Sequence, residues 1–173
     1  MKVMKRMVKP LCLIVLALSL NSCAAQRKEA PVHLFDLANE KGRMEMTARQ
    51  FISAYYSKNQ DQILNLSGYP FYMDDGGVLI YPEEWREALS KIFALKTTLP
   101  YQIQTLKILQ PADIPSLNMQ VWNRLMELKY HKMFYALADI QITTPQGLAE
   151  EKVLLIMHKD PDTEIWKILG FFS

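Results

Sequence analysis

The chain has 173 residues, with 20 lysines and arginines against 18 aspartates and glutamates, a formal charge of +2. Lys2, Lys5, Arg6 and Lys9 precede the first acid, so from residue 23 onward 16 basic residues face 18 acidic ones and the balance is −2. That leaves no clustered basic surface of the kind nucleic acid requires, which excludes this class of partner.

The first 22 residues read as a secretion signal. Four cationic side chains are followed by an apolar run over 11–20, which at about 1.5 Å per helical residue covers roughly half of a hydrocarbon core of about 30 Å. That is too short for a permanent span. Met4 and Met7 are alternative starts that would keep a charged beginning. Leu20-Asn21-Ser22-Cys23 resembles the lipobox of bacterial lipoproteins, with a branched apolar residue three before the cysteine and a small one directly before it. The resemblance implies cleavage before Cys23, a diacylglyceryl group on its thiol and an acylated new amino terminus. The first expected partner is therefore a lipid membrane. Ala24 in place of aspartate implies, by the sorting rule of enteric bacteria, an outer-membrane lipoprotein facing the periplasm. With Cys12 removed and Cys23 lipidated, the folded part carries neither thiol nor disulfide. Residues 23–45 are expected to form the anchor and tether, with Val32, Leu34, Phe35 and Leu37 available for docking, and 46–173 a single domain.

Within that domain Ala48, Phe51, Ile52 and Tyr55 fall at i, i+3, i+4 and i+7, the stripe of an amphipathic helix with Thr47 as N-cap. A second short helix is expected over 59–66. Strands at 71–73 and 78–81 flank Asp74-Asp75-Gly76-Gly77, a hairpin turn. Pro82, Glu83 and Glu84 open a further helix with Trp85, Ala88, Leu89, Ile92 and Phe93 on one face. Residues 101–109 form a strand whose apolar phase slips between Ile103 and Leu106, which suggests a bulge or an unusual bend. Leu117, Val121, Leu125 and Leu128 mark one more helix, widened by Trp122 and Met126. The rest reads as a three-stranded meander over 133–143, 149–158 and 164–172. In its first strand Phe134, Ala136, Ala138, Ile140 and Ile142 share one face, and Tyr135, Leu137, Asp139, Gln141 and Thr143 the other. The first face is core, and the second meets water or lines a wet cavity.

Paired opening helices, a hairpin, a helix and long strands closing on Glu164-Ile165-Trp166-Lys167-Ile168 resemble the nuclear-transport-factor-2-like superfamily, with its ketosteroid-isomerase-like and SnoaL-like members. The resemblance covers most of 46–173 and implies an α+β fold: a curved antiparallel sheet packed on N-terminal helices as a cone whose open end is a pocket. A cystatin-like α+β roll is the alternative architecture. In the isomerase branch a carboxyl in an apolar site abstracts a proton while hydroxyls stabilise the oxyanion, and Asp139 is the catalytic candidate. Tyr55, Tyr72, Tyr135, Asp139 and Trp166 are the candidate ligand-binding residues, and Tyr56 a further hydroxyl. His33, His131 and His158 lack ligand spacing, and Asp160, Asp162 and Glu164 read as turn residues, so no metal and no cofactor is expected.

Three functions follow. The favoured one is a non-enzymatic, membrane-anchored envelope lipoprotein that binds a small apolar ligand or an envelope protein. The others are a structural or assembly subunit of an envelope or secretion complex, and an isomerase or hydrolase using Asp139.

Overall fold

The computed structural model describes residues 34–73, 77–95 and 97–173. The signal segment, Cys23, the first part of the tether and the turn residues Asp74, Asp75 and Gly76 lie outside them. Among the described residues no helix is long and apolar enough to cross a membrane.

Helix α1 (Leu34–Tyr56) is longer than its apolar stripe suggested. Thr47 stands in its middle, buried, where an N-cap was expected. Two contacts explain the extension. Met44 is buried with Ala48 in the core, and Glu40 accepts hydrogen bonds from Trp166 Nε1 at 2.7 Å and from Lys159 Nζ at 3.1 Å. The stretch expected as tether is thus helical from Leu34, since tertiary contacts outweigh the cost of about 1 kcal/mol for Gly42 within a helix. The Trp166 hydrogen bond, with help from Lys159 and Arg43, holds the Glu40 carboxyl below its usual range. Such a depressed carboxyl stabilises the fold above its unfolded value of about 4.3, and the contribution is lost as pH falls through the lower folded value. Glu40→Gln is therefore expected to lower stability at pH 7 by about 1 kcal/mol, read as a Tm drop of about 4 °C, and to flatten the acid limb below pH 4. An unchanged acid limb would show that Glu40 does not pin this helix.

The α1 helix closes on Lys58, whose φ of 60° suits a left-handed cap, and Asn59 N returns a hydrogen bond to Ala54 O at 2.8 Å. Asn59 then caps α2 (Gln60–Leu66) through Gln62 N. Next come β1 (Ser67–Tyr72), β2 (Val78–Leu79), α3 (Pro82–Leu95) and β3 (Tyr101–Leu109). The helix expected near 117–128 is broken in two. A 3-10 turn at Pro111–Asp113 leads to α4 (Ile114–Leu117), and α5 (Met119–Glu127) starts afresh at Asn118. Asn118 is extended, and its side chain accepts from Gln120 N and Val121 N, so it caps a new helix instead of continuing the old one. The meander follows as β4 (Phe134–Thr144), β5 (Gly147–Lys159) and β6 (Trp166–Phe172).

The six strands form one sheet in the order β2-β1-β6-β5-β4-β3. It is mixed where an antiparallel sheet was expected, because β1 pairs parallel with β6. No hairpin joins those two strands, so no turn dictates their direction. The sheet is curved and unclosed, helped by register shifts between Ile103 and Thr105 in β3 and between Ile156 and Met157 in β5. The first of these is the phase slip legible in the sequence. On the concave face Phe134, Ala136, Ala138, Ile140 and Ile142 pack with α1, α2 and α3 around Phe51, Trp85 and Leu89. On the convex face Tyr135, Leu154, Ile156 and Leu169 form a second core beneath Ile114 of α4 and Leu125 of α5. The second face of β4 is therefore divided. Its Tyr135 end is covered by helices, and its Asp139 end meets water.

Candidate aromatic mouth of the cone

The C-terminal end of α1 brings Tyr55 and Tyr56 to the open end of the concave face. Tyr55 meets Tyr56, Phe93 and Phe171 at ring-centroid distances of 5.6–5.8 Å, edge-on or tilted, and Tyr56 stacks on Tyr101 at 4.6 Å. Across from them Glu151 projects from β5. It pairs in register with Ile140, so it shares the inward face with Val153 and Leu155. The Tyr56 hydroxyl donates to Glu151 Oε2 at 2.6 Å. Burial, then that hydrogen bond and the carboxylate charge, push the Tyr56 phenol well above its ordinary range, so it remains a neutral donor.

Around this pair the cone has two spaces that share Tyr55, Tyr56 and Glu151 as walls. The inner one, walled by Phe51, Ile52, Ile140, Val153, Leu155 and Phe171, holds about 20 Å³, room for about one water molecule. The outer one, bounded by Tyr55, Tyr56, Lys58, Phe93, Thr97, Leu99, Ile142 and Glu151, holds about 340 Å³. A ligand of ring size fits the mouth, whereas the throat behind it is nearly filled by side chains. Lys58 Nζ donates to the Phe93 carbonyl at 3.0 Å, at the carbonyl end of α3.

The five candidate ligand residues do not meet. Tyr55 alone lines the mouth. Tyr72 and Tyr135 lie in the convex core: the Tyr135 hydroxyl donates to Tyr130 O at 2.6 Å, and Arg124 Nε donates to the Tyr72 hydroxyl at 3.4 Å. Burial raises the Tyr135 phenol to about 12. Trp166 is buried beside Phe134 and is occupied with Glu40. Asp139 stands on the convex face, where Thr105 Oγ1 donates to it and Lys152 Nζ lies 3.5 Å away. The threonine hydrogen bond and the lysine charge hold its carboxyl below the usual range. A proton-abstracting carboxyl needs surroundings that push the other way. Sequence reasoning passed over Glu151, although its alternation with Val153, Leu155 and Met157 was a readable sign that it faces inward.

A second hollow, of about 290 Å³, lies on the convex side between α4, α5 and the strands, lined by Ile114, Leu117, Val121, Leu137, Leu154 and Phe172 among others. Among the described residues no group of three or more His, Cys, Asp or Glu side chains is placed to hold a metal ion.

Comparison with protein-family models and with curated proteins finds no match. Solved structures do match in shape. An NTF2-like protein of unknown function from Pseudomonas putida superposes with a TM-score of 0.54 at 5% identity, covering 78% of this chain and 85% of its own. A ketosteroid isomerase-like protein from Erwinia carotovora gives 0.52 at 11%, over 77% and 93% of the two chains. A crystal structure described as a putative ketosteroid isomerase, from Shewanella frigidimarina, gives 0.51 at 12%, over 73% and 89%. At such identities the likeness is one of shape, and the fold of this chain is the curved-sheet cone of the nuclear-transport-factor-2-like proteins.

Proposed function

We propose that this protein is a non-enzymatic binding module, held at the bacterial cell envelope by acylated Cys23, which takes a small apolar ring compound in the mouth of its cone. The observation that carries the binding reading is the 340 Å³ space walled by Tyr55, Tyr56, Phe93, Leu99 and Ile142. Aromatic walls with a few fixed polar groups are the usual make-up of a small-molecule site. The anchor is supported by the cationic start, the short apolar run and the lipobox-like Leu20-Asn21-Ser22-Cys23. Two or more acyl chains make a stable attachment, at roughly 0.8 kcal/mol per buried methylene. Ala24 favours the outer membrane, with the domain in the periplasm.

Thr97 is exposed at the rim, outside the helices and strands, so a tryptophan there fills the mouth without disturbing the core. Titration of the full chain with 2-naphthol, followed by ligand-observed NMR, is expected to show saturable binding that Thr97→Trp weakens at least tenfold. Equal binding by the variant would remove the mouth from the account. For the anchor, mass spectrometry of the mature amino terminus is expected to find an acylated Cys23, and an unmodified chain starting elsewhere would refute it.

A second reading, a subunit of an envelope assembly, draws support from Leu117, Met119 and Met126, which expose about half of their surface on α4 and α5. Under that reading Leu117→Glu would abolish co-purification with an envelope protein and leave 2-naphthol binding intact.

A further inference from the structure

Glu151 differs from the acids of this domain that are matched by cations, and from Glu84, Asp113 and Asp160, whose carboxylates accept from backbone N–H groups in exposed hydrogen bonds. Glu40 is matched by Lys159 and Arg43, Asp61 by Arg86, Glu87 by Lys91, Glu127 by Arg124 and Asp139 by Lys152. Glu151 is half-buried, faces the apolar interior, and forms no ion pair with any lysine or arginine among the described residues. Among the described residues, its carboxylate has one hydrogen bond, the 2.6 Å contact from Tyr56 to Oε2. The second carboxylate oxygen is left for something else.

A carboxylate taken partly out of water without a cation is costly, and a ligand that brings the missing charge recovers that cost. The walls of the mouth fit the same kind of ligand. Tyr55, Tyr56 and Phe93 surround the space, and ring faces attract a cation within about 6 Å, most strongly where water is excluded. Among the described residues, Lys58 is the cation that lines the rim, and it donates to the Phe93 carbonyl at 3.0 Å.

We propose that the mouth is selective for an organic ammonium ion, whose charged nitrogen meets Glu151 and whose alkyl or ring substituents lie against Tyr55, Tyr56 and Phe93. This rests on the binding reading above and narrows its ligand class from an apolar ring to a cationic one. The hydroxyl of Tyr56 orients the carboxylate, and the narrow throat behind it stops the ligand at the depth where Glu151 stands.

Choline and its uncharged isostere 3,3-dimethyl-1-butanol have nearly the same shape and differ in charge, so they isolate the contribution of Glu151. Ligand-observed NMR on the full chain is expected to show choline binding about tenfold more tightly than the alcohol. Glu151→Gln, which keeps the shape and an acceptor for Tyr56, is expected to make the two equal, while a backbone amide spectrum dispersed like that of the unsubstituted protein reports an intact fold. Equal affinities in the unsubstituted protein, or no choline binding at all, would overturn the proposal. Retained 2-naphthol binding in that event would leave the apolar mouth standing, whereas its loss as well would end both readings.

Discussion

Trp85→Ala is expected to destabilise the domain by about 3–5 kcal/mol, the range for removing a large aromatic side chain from a packed interior. Trp85 is fully buried on the sheet-facing side of α3 and stacks on Phe71 with ring centroids 4.6 Å apart. Its indole Nε1 donates to Ser67 Oγ at 3.0 Å, and that hydroxyl donates in turn to Ile63 O at 2.8 Å. One side chain therefore ties together α2, β1 and α3. A loss of this size is a large share of the 5–15 kcal/mol typical of a domain. Trp85→Phe separates packing from hydrogen bonding. It keeps a ring against Phe71 but leaves Ser67 without its donor, so a cost of about 1–2 kcal/mol is expected. Urea melts of the two variants measure both, and equal midpoints for Trp85→Ala and the unsubstituted protein would contradict the packing described.

Gly170→Ala is expected to cost about 3 kcal/mol through backbone geometry alone. Gly170 has a φ of +157°, and a Cβ built there would lie 2.5 Å from the Tyr72 carbonyl oxygen and 2.8 Å from Tyr72 Cβ. Neither neighbour is the free end of a flexible chain, so β1 or β6 would have to move. Gly170 also pairs with Ile156 at the bulge, beyond which Phe171 joins the concave core and Phe172 the convex one. The bulge reverses the phase of β6 and sends Phe171 to Tyr55 at the mouth. A Gly170→Ala protein with an unchanged urea midpoint would show that β6 does not need this bend.

Much of the architecture could be read from the residues, and the misses have separate causes. The strand at Tyr101–Leu109 was legible down to its bulge because Ile103 and Leu106 break an otherwise regular alternation. The meander was legible because Pro145-Gln146-Gly147 and the acids around Pro161 mark turns between long β-rich runs. The start of α1 was not. Gly42 and a polar run hid a helix that owes its place to Glu40 and Trp166, residues 126 apart in sequence. The break at Asn118 was overlooked because the apolar stripe runs on across it, while a capping side chain decided otherwise.

The functional residues were harder to read for a related reason. Tyr72 was chosen for its hydroxyl and Tyr135 for sharing the face of Asp139, but whether helices cover a given side of a curved sheet depends on tertiary packing. Here α4 and α5 cover it and turn both tyrosines into core. Asp139 drew attention as an acid between apolar neighbours, although strand alternation already put it on the face opposite Ala138 and Ile140. The same alternation applied to β5 puts Glu151 inward. The argument that selected Asp139, applied to β5, was enough to find Glu151 as the inward-facing carboxylate.

The most direct test of the binding mouth is a map of backbone amide shifts on adding 2-naphthol to the isotope-labelled full chain. Shifts concentrated at Tyr56, Thr97, Ile142 and Glu151 are predicted. Shifts confined to Leu117, Val121 and Leu137, with the mouth silent, would place binding in the convex hollow and contradict the account.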